Sequence, residues 1–391
     1  MPKNIWFLIV GTFISTVGGS FLWPLNSIYI HDHLGKSMSL AGLILALNSL
    51  AAIFGNLLGG WLFDRFGGYK AILTGALLNV TAVACLMLWH EWPYYVIFLI
   101  CTGFSGGIVY PAMYALVGQA WPTGGRRAFN AIFLANNIGV AVGPAIAGIV
   151  ADIRFDYVFV ANFATYTLFL VVVLATFRRF NVKVEKQMKQ QGAWCTAKKG
   201  PFIAILIVSH ALVLCWLAYS QWVATISSHT QSLGMSLSEY SLLWTINGLL
   251  IVVFQPLIRP VIRRWEHKVK HQLILGLVLM AGSFGIVSIA GDFKMFAAAM
   301  VLLTLGEVFF SPVIPLIANQ LAPDGKQGFY QGIVNSATTI GRMLGPLVGG
   351  LMVDMYGMTV LTLLLVVLLF VAIIPVLVYD VHLKKQQRAQ N

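Results

Sequence analysis

Apolar residues run along this chain in blocks of roughly 20, the length at which a helix crosses the ~30 Å hydrocarbon core of a bilayer. Between the blocks lie short stretches where glycine, proline and charge collect. The blocks are too long for core strands and lack the alternation of an outer-membrane barrel. The pattern predicts twelve membrane-spanning helices: residues 5–30, 39–63, 70–89, 93–119, 128–151 and 157–177, then 201–226, 238–258, 272–291, 295–320, 329–353 and 359–379. The first block follows Met1-Pro2-Lys3-Asn4 and outruns the apolar core of a signal peptide without a small-x-small cleavage site, so it reads as the first span. A tight connection, Gly59-Gly60-Trp61-Leu62-Phe63-Asp64-Arg65-Phe66-Gly67-Gly68-Tyr69-Lys70, folds the second and third spans into an antiparallel hairpin.

Composition sharpens this picture. The chain is 59% hydrophobic and only 10% charged, with a mean hydropathy of +0.83. A soluble domain carries about a quarter charged residues, so this chain cannot coat a water-facing surface. The net charge of +12 does not point to nucleic acid, because the basic residues sit between spans and form no continuous face. With the amino terminus inside, Lys3, Arg65, Lys70, Arg126, Arg127, Arg178 and Arg179 fall on the inner side, whereas Lys36, Arg154 and Lys294 fall outside. That bias predicts a multi-pass protein of the cell membrane with both termini cytoplasmic. Cys85, Cys101 and Cys215 lie in apolar runs and Cys195 in a basic loop, with no CxxC spacing, so neither disulfides nor a metal centre is expected.

The two halves of the chain repeat. At an offset of 199, Trp23 matches Trp222, Leu34-Gly35 matches Leu233-Gly234, Ser39 matches Ser238 and Asn48 matches Asn247. At 201, Pro111, Gln119 and Pro122 match Pro312, Gln320 and Pro323; at 202, Gly139, Gly143-Pro144, Gly148 and Asp152 match Gly341, Gly345-Pro346, Gly350 and Asp354. A drift of so few residues indicates duplication of a six-helix unit. The expected fold is an all-α integral membrane protein of twelve transmembrane helices in two pseudo-symmetric six-helix bundles. The bundles are residues 1–177 and 201–391, joined by a basic linker at 178–200. The linker either lies on the anionic inner leaflet or is a plain solvated connection. Parallel repeats of this kind rock about a shared midplane site.

With these motifs in place, the chain resembles the major facilitator superfamily over essentially its whole length. Gly60, Leu62, Asp64, Arg65 and Gly67 match the signature between helices 2 and 3, with Gly68 and Tyr69 where basic residues are usual. Gly139-x-x-x-Gly143-Pro144-x-x-x-Gly148 is similar to the antiporter signature of the drug–proton subgroup, with Ala147 where a further glycine is usual. Thr304-Leu305-Gly306-Glu307-Val308-Phe309-Phe310-Ser311-Pro312 resembles helix 10 of the lactococcal type of multidrug–proton antiporter, where this glutamate is functionally important. Two departures stand out: no charge occurs from Phe98 to Gln119, and no acid in the first, fourth or fifth span. The resemblance implies a secondary transporter that exports lipophilic or amphiphilic small molecules by proton antiport and alternating access. A nutrient-uptake symporter and a carrier of lipid-like molecules are the alternatives. The implied partners are a small-molecule substrate, protons and membrane lipids, for a monomer with no cofactor beyond the proton gradient. No GxxxxGK[ST] loop occurs and no enzyme constellation lies within the spans.

Glu307 is the carboxylate nearest the middle of a span. A charge there costs roughly 2.5–3.5 kcal/mol, so the group must be neutralised, paired or wet. Such a carboxyl can exchange a proton, which makes Glu307 a candidate carrier or cation contact, or else a structural partner of its helix. Arg342 lies at similar depth in the eleventh span and either forms a pair that substrate competes with or a permanent one. His210 is a third candidate proton site, or a packing histidine. His31-Asp32-His33 has a metal-like spacing without a third ligand, and a solvated loop is favoured. Trp23, Asn26, Asn48, Tyr110, Tyr114, Asn136, Trp222, Trp244, Asn247 and Glu307 are the expected substrate-binding residues, with Asn137, Trp216, Tyr219, Gln221 and Asn335 as further candidates for the cavity wall. The expected gating residues are Gly60, Asp64, Arg65, Gly67, Arg126, Arg127, Gly139, Gly143, Pro144, Gly345 and Pro346. The Gly–Pro motifs permit close approach and bend their helices, for sliding between halves or simple tight packing. Asp64, whose repeat mate is Arg263, is expected to latch onto the positive start of a nearby helix or the Arg126-Arg127 loop, or merely to stabilise its turn.

Overall fold

A computed structural model describes residues 2–22, 25–26, 29–178, 199–265 and 268–381. Among the described residues there is no strand. The long helices are α1 (Lys3–Leu22), α2 (Met38–Phe66), α3 (Gly68–Leu88), α4 (Tyr94–Ala120), α5 (Arg126–Ile153), α6 (Asp156–Val172), α7 (Lys199–Tyr219), α8 (Leu237–Leu257), α9 (Val269–Val287), α10 (Phe293–Phe310) and α11 (Gln327–Val371). Among the described residues, ten helical stretches are long and apolar enough to cross a membrane, with a shorter apolar one at Glu239–Gln255 in α8. The last of the ten runs from Gln327 to Val378, 52 residues. At 1.5 Å per residue that is more than twice the ~30 Å hydrocarbon thickness, so it supplies two spans. The fold is thus a twelve-span helical membrane protein.

Local chemistry sets the ends. Ser37 caps α2, accepting the Leu40 N–H at 3.3 Å, and Gly67 closes it at φ 88°, donating to the Phe63 carbonyl. No residue with a side chain holds that angle comfortably, so the turn into α3 needs no further linker. A capping box opens α8: the Ser236 N–H donates to Glu239 at 2.8 Å and the Glu239 N–H to the Ser236 hydroxyl at 3.2 Å. Asp292 caps α10 by accepting the Met295 N–H at 2.9 Å. Several expected spans are less regular than the apolar pattern indicates. The seventh is broken at Ser220 and Thr225 into α7 and the short helices Gln221–Ala224 and Ile226–Ser232. The tenth breaks after Phe310 and resumes at Val313–Leu321. The expected loop between the eleventh and twelfth spans is reduced to Gly357 (φ 82°, ψ 170°) within α11.

The chain divides into two compact units. One comprises residues 1–196 with 322–336, the other residues 197–321 with 337–391, so α11 begins in the first and continues in the second. Residues 179–198, most of the expected linker, lie outside the described residues. In the first unit α2 and α4 touch backbone to backbone: a Cβ on Gly59 would fall 2.6 Å from the Ile108 Cα. Ile5, Phe63, Ile72, Leu116, Phe169 and Phe177 fill one of its cores. In the second unit α9 and α10 approach in the same way at Gly276 and Gly306. Large apolar side chains remain on the outside, Ile149 at 68%, Ile153 at 72% and Leu249 at 63% exposure. Water would penalise that surface and a bilayer does not.

Candidate functional site

In the second unit, the interior polar groups converge on Glu307, which is 3% exposed near the end of α10. The Tyr219 hydroxyl, from the last turn of α7, donates to its Oε2 at 3.1 Å, and Asn247 Nδ2 of α8 stands 3.5 Å from the same oxygen. Asn247 makes its closer bond to the Thr304 hydroxyl at 2.9 Å, and that hydroxyl donates to the Met300 carbonyl at 2.7 Å. Thr304 precedes Glu307 by three positions and so shares its helix face. Three helices are thereby tied to one carboxyl. Buried polar groups in such a network are costly to leave unpaired, which fixes each side chain in place.

Aromatic rings wall the cluster. Trp216 and Tyr219 lie 4.9 Å apart by ring centroids, and Trp244 meets Tyr219 edge-on at 6.3 Å. The guanidinium of Arg342, from α11, sits 4.2 Å over the Trp216 ring, a cation–π contact, and its charge acts on both Glu307 and Tyr219. The cluster therefore holds an acid, Glu307, bonded to Tyr219, and a base, Arg342, stacked on the neighbouring Trp216 ring. Trp244 donates its indole N–H to Tyr240 at 2.9 Å, and the Tyr240 hydroxyl donates to the Trp222 carbonyl at 2.6 Å. Trp222 itself is fully buried, so it packs rather than presenting a free face. His210 is not brought to the cluster: it is exposed, with its ring against the Leu206 carbonyl of its own helix at 3.0 Å.

The Gly–Pro motif of α11 lies beside the break in α7. Gly341 and Gly345 face Val213, Trp216, Leu217 and Ser220, where a Cβ would be crowded. Gln221, fully buried, donates to the Gly345 carbonyl at 2.7 Å and to that of Leu217 at 3.1 Å, and accepts from Thr225 at 3.1 Å. Pro346 follows within the helix. In the first unit the repeat is visible in packing: Gly139 of α5 faces Phe13 and Thr16, and Gly143 faces Val17 and Ser20, with Pro144 next. These glycines meet a helix of their own six-helix half. Of the two readings of these motifs, the contacts shown are tight packing, α5 on α1 and α11 on α7, because the missing side chains admit the neighbour's backbone there.

Other expected residues of the first unit are spread over several contacts. Asn26 is buried and accepts from the Tyr95 hydroxyl at 2.7 Å; Asn48 donates to the Leu99 carbonyl at 2.6 Å; Asn136 accepts from Thr16 at 3.0 Å. Tyr110 and Tyr114 are half-buried on α4. Trp23 lies outside the described residues. At the other end of this unit, Asp64 accepts the backbone N–H groups of Gly328 at 2.7 Å and Phe329 at 2.8 Å, the first turn of α11. Asp64 thus touches a helix start, one of the partners expected for it. Gly60 lies so close to the Gly328 backbone that a Cβ has no room. Arg65 stacks over Trp61 at 5.2 Å, Arg126 is 3% exposed and Arg127 is exposed.

Three features escape one-dimensional reading. Thr304 as the bridge to Asn247, Trp216 beneath Arg342 and Gln221 at the α7 break all depend on which helix faces which. The i, i+3 spacings Trp216/Tyr219 and Thr304/Glu307 are the signals that would have grouped them.

The family model described as Major Facilitator Superfamily matches residues 8–269 and 223–391. The chain is 50% identical over 391 residues to an uncharacterized MFS-type transporter, YttB, of Bacillus subtilis, covering 100% of this chain and 98% of that one. It is 23% identical over 354 residues to the multidrug resistance protein MdtH of Aeromonas hydrophila, covering 89% and 87% of the two chains. Among solved structures, that of the human organic anion transporter MFSD10 superposes with a TM-score of 0.77 at 13% identity, covering 96% of this chain and 100% of that one. At that identity the likeness concerns the fold alone.

Proposed function

The chain belongs to the Major Facilitator Superfamily and is a membrane transporter, and we propose that it exports lipophilic or amphiphilic small molecules in exchange for protons. The observation that carries this reading is the buried carboxyl of Glu307, held by Tyr219 and Asn247 beside the base Arg342. A carboxyl in that setting binds a proton or a positively polarised cargo group, but not both well. Cargo arriving beside Glu307 would expel the proton, and proton return would expel the cargo. Arg342 supplies the competing charge that keeps the empty site from being strongly negative. The rings of Trp216, Tyr219 and Trp244 provide apolar area with few charges, which suits amphiphiles. The resemblance to MdtH of Aeromonas hydrophila supports export.

In this account Asp64, Gly60 and the first turn of α11 form a gate element that holds one conformation, and the Gly–Pro positions of α5 and α11 permit the close packing on which helices slide. Both termini face the cytoplasm, the protein works in the cell membrane as a monomer, and the proton gradient replaces any cofactor. A cargo screen in inverted vesicles with a simultaneous proton readout tests the proposal. Cargo uptake that releases protons and collapses with an uncoupler is expected. Cargo and protons moving in the same direction would instead identify a symporter.

A further inference from the structure

The outer surface of the α2–α3 hairpin carries a groove that the transport chemistry leaves unused. Leu62 and Phe66 from the end of α2 form one side; Lys70, Leu73, Thr74 and Leu77 from the start of α3 form the other, enclosing about 330 Å³. Its apolar members face outward, Phe66 at 41% and Leu77 at 47% exposure. From Lys70 to Leu77 the groove follows two turns of α3, about 10 Å of rise. Both helices are membrane spans, so the groove opens toward hydrocarbon. Its charged end coincides with the turn at Gly67, where Lys70 is exposed and the Arg65 guanidinium lies over the Trp61 and Phe66 rings at 5.2 and 5.6 Å.

We propose that this groove is a binding site for one anionic glycerophospholipid, its acyl chain laid along Leu62, Leu73 and Leu77 and its phosphate seated at Lys70. The apolar lining accepts a stretch of chain, and two cationic side chains flank the end where the headgroup lies. A zwitterionic lipid offers the same chain but carries its own cation to that rim, so charge separates the two. The inference rests on the cytoplasmic termini proposed above, which put the α2–α3 turn at the inner leaflet, the one rich in anionic lipid. A peptide is a poor occupant, because its backbone groups would find no partners on the hydrocarbon side.

Native mass spectrometry of the purified, delipidated full chain tests this, with phosphatidylglycerol and phosphatidylcholine of identical acyl chains added in turn. Wild type is expected to retain phosphatidylglycerol preferentially, and Lys70→Ala to reduce that preference about fivefold, the factor for one basic group at a lipid surface. Lys70→Arg should keep it. Thr74→Trp, which fills the groove without changing charge, should lower retention of both lipids, and Lys294→Ala, at an exposed position of the second unit, should change neither. Equal retention of the two lipids by wild type, or an equal loss in Lys294→Ala and Lys70→Ala, would overturn the site. Cargo transport is not read in this experiment, so its outcome is independent of the export proposal; topology is checked separately by labelling a cysteine placed at Lys70.

Discussion

Replacing Asp64 with asparagine removes the charge from the contact with α11 while keeping its shape. The carboxylate takes one N–H with each oxygen, Gly328 at 2.7 Å and Phe329 at 2.8 Å. A hydrogen bond to a charged acceptor contributes about 1.5–3 kcal/mol, so the ionised pair holds roughly 3–6 kcal/mol. Asparagine keeps one neutral acceptor, about 1 kcal/mol, and turns an N–H donor toward the other backbone donor. The net loss is about 2–5 kcal/mol, or on the order of 30- to 5,000-fold in the closed-to-open ratio of the contact. Hydrogen–deuterium exchange of the segment 322–336 reads this directly, since those amides exchange only when the contact opens. Exchange at Gly328 and Phe329 should accelerate by on the order of 100-fold in Asp64→Asn, with α9 and α10 unaffected. Unchanged protection at those two amides would refute the reasoning, because the Asp64 carboxylate is the acceptor that holds them.

Three further outcomes follow from the packing and the cluster. Gly345→Ala places a methyl against Ser220 and the Leu217 carbonyl and should lower thermal stability by about 1–3 kcal/mol, while Gly350→Ala, with open space at its Cβ, should be close to neutral; melting in detergent compares them. Tyr219→Phe deletes the 3.1 Å bond to Glu307 but keeps the ring against Trp216 and Trp244, so proton-coupled transport should fall together with a stability loss of about 1–3 kcal/mol, read by melting. Asn247→Leu strips Thr304 and Glu307 of a shared partner inside the second unit and should cost about 1–3 kcal/mol, again read by melting.

The long apolar blocks, the hairpin turn at Gly67 and the duplication were all legible in the sequence, since each depends on chain-local pattern. The duplication extends to contacts: Phe13, Thr16, Val17 and Ser20 face Gly139 and Gly143 as Val213, Trp216, Leu217 and Ser220 face Gly341 and Gly345. Asymmetry was harder to see. Tyr219 and Glu307 have glycines, Gly19 and Gly106, at the corresponding places of the first half, and only the fold shows that the two larger residues touch. The break of the seventh span at Ser220 is hidden because Ser220 and Gln221 stand inside a block that is apolar enough as a whole to read as one helix. What marks it is Gln221, whose amide bonds the Gly345 carbonyl, a partner 124 positions away. The sequence offers Asp64 a helix start or the Arg126-Arg127 loop as partner, but naming Gly328 and Phe329 requires knowing which helix begins beside it.

The claim that Glu307 couples cargo to protons is tested most directly by comparing two modes of transport in proteoliposomes, with wild type and Glu307→Gln side by side. Glutamine preserves an acceptor for Tyr219 but has no proton to exchange. The account predicts that Glu307→Gln still exchanges cargo for cargo without a gradient, yet no longer accumulates cargo against one when a proton gradient is imposed. Proton-driven accumulation by Glu307→Gln at the wild-type level would contradict it.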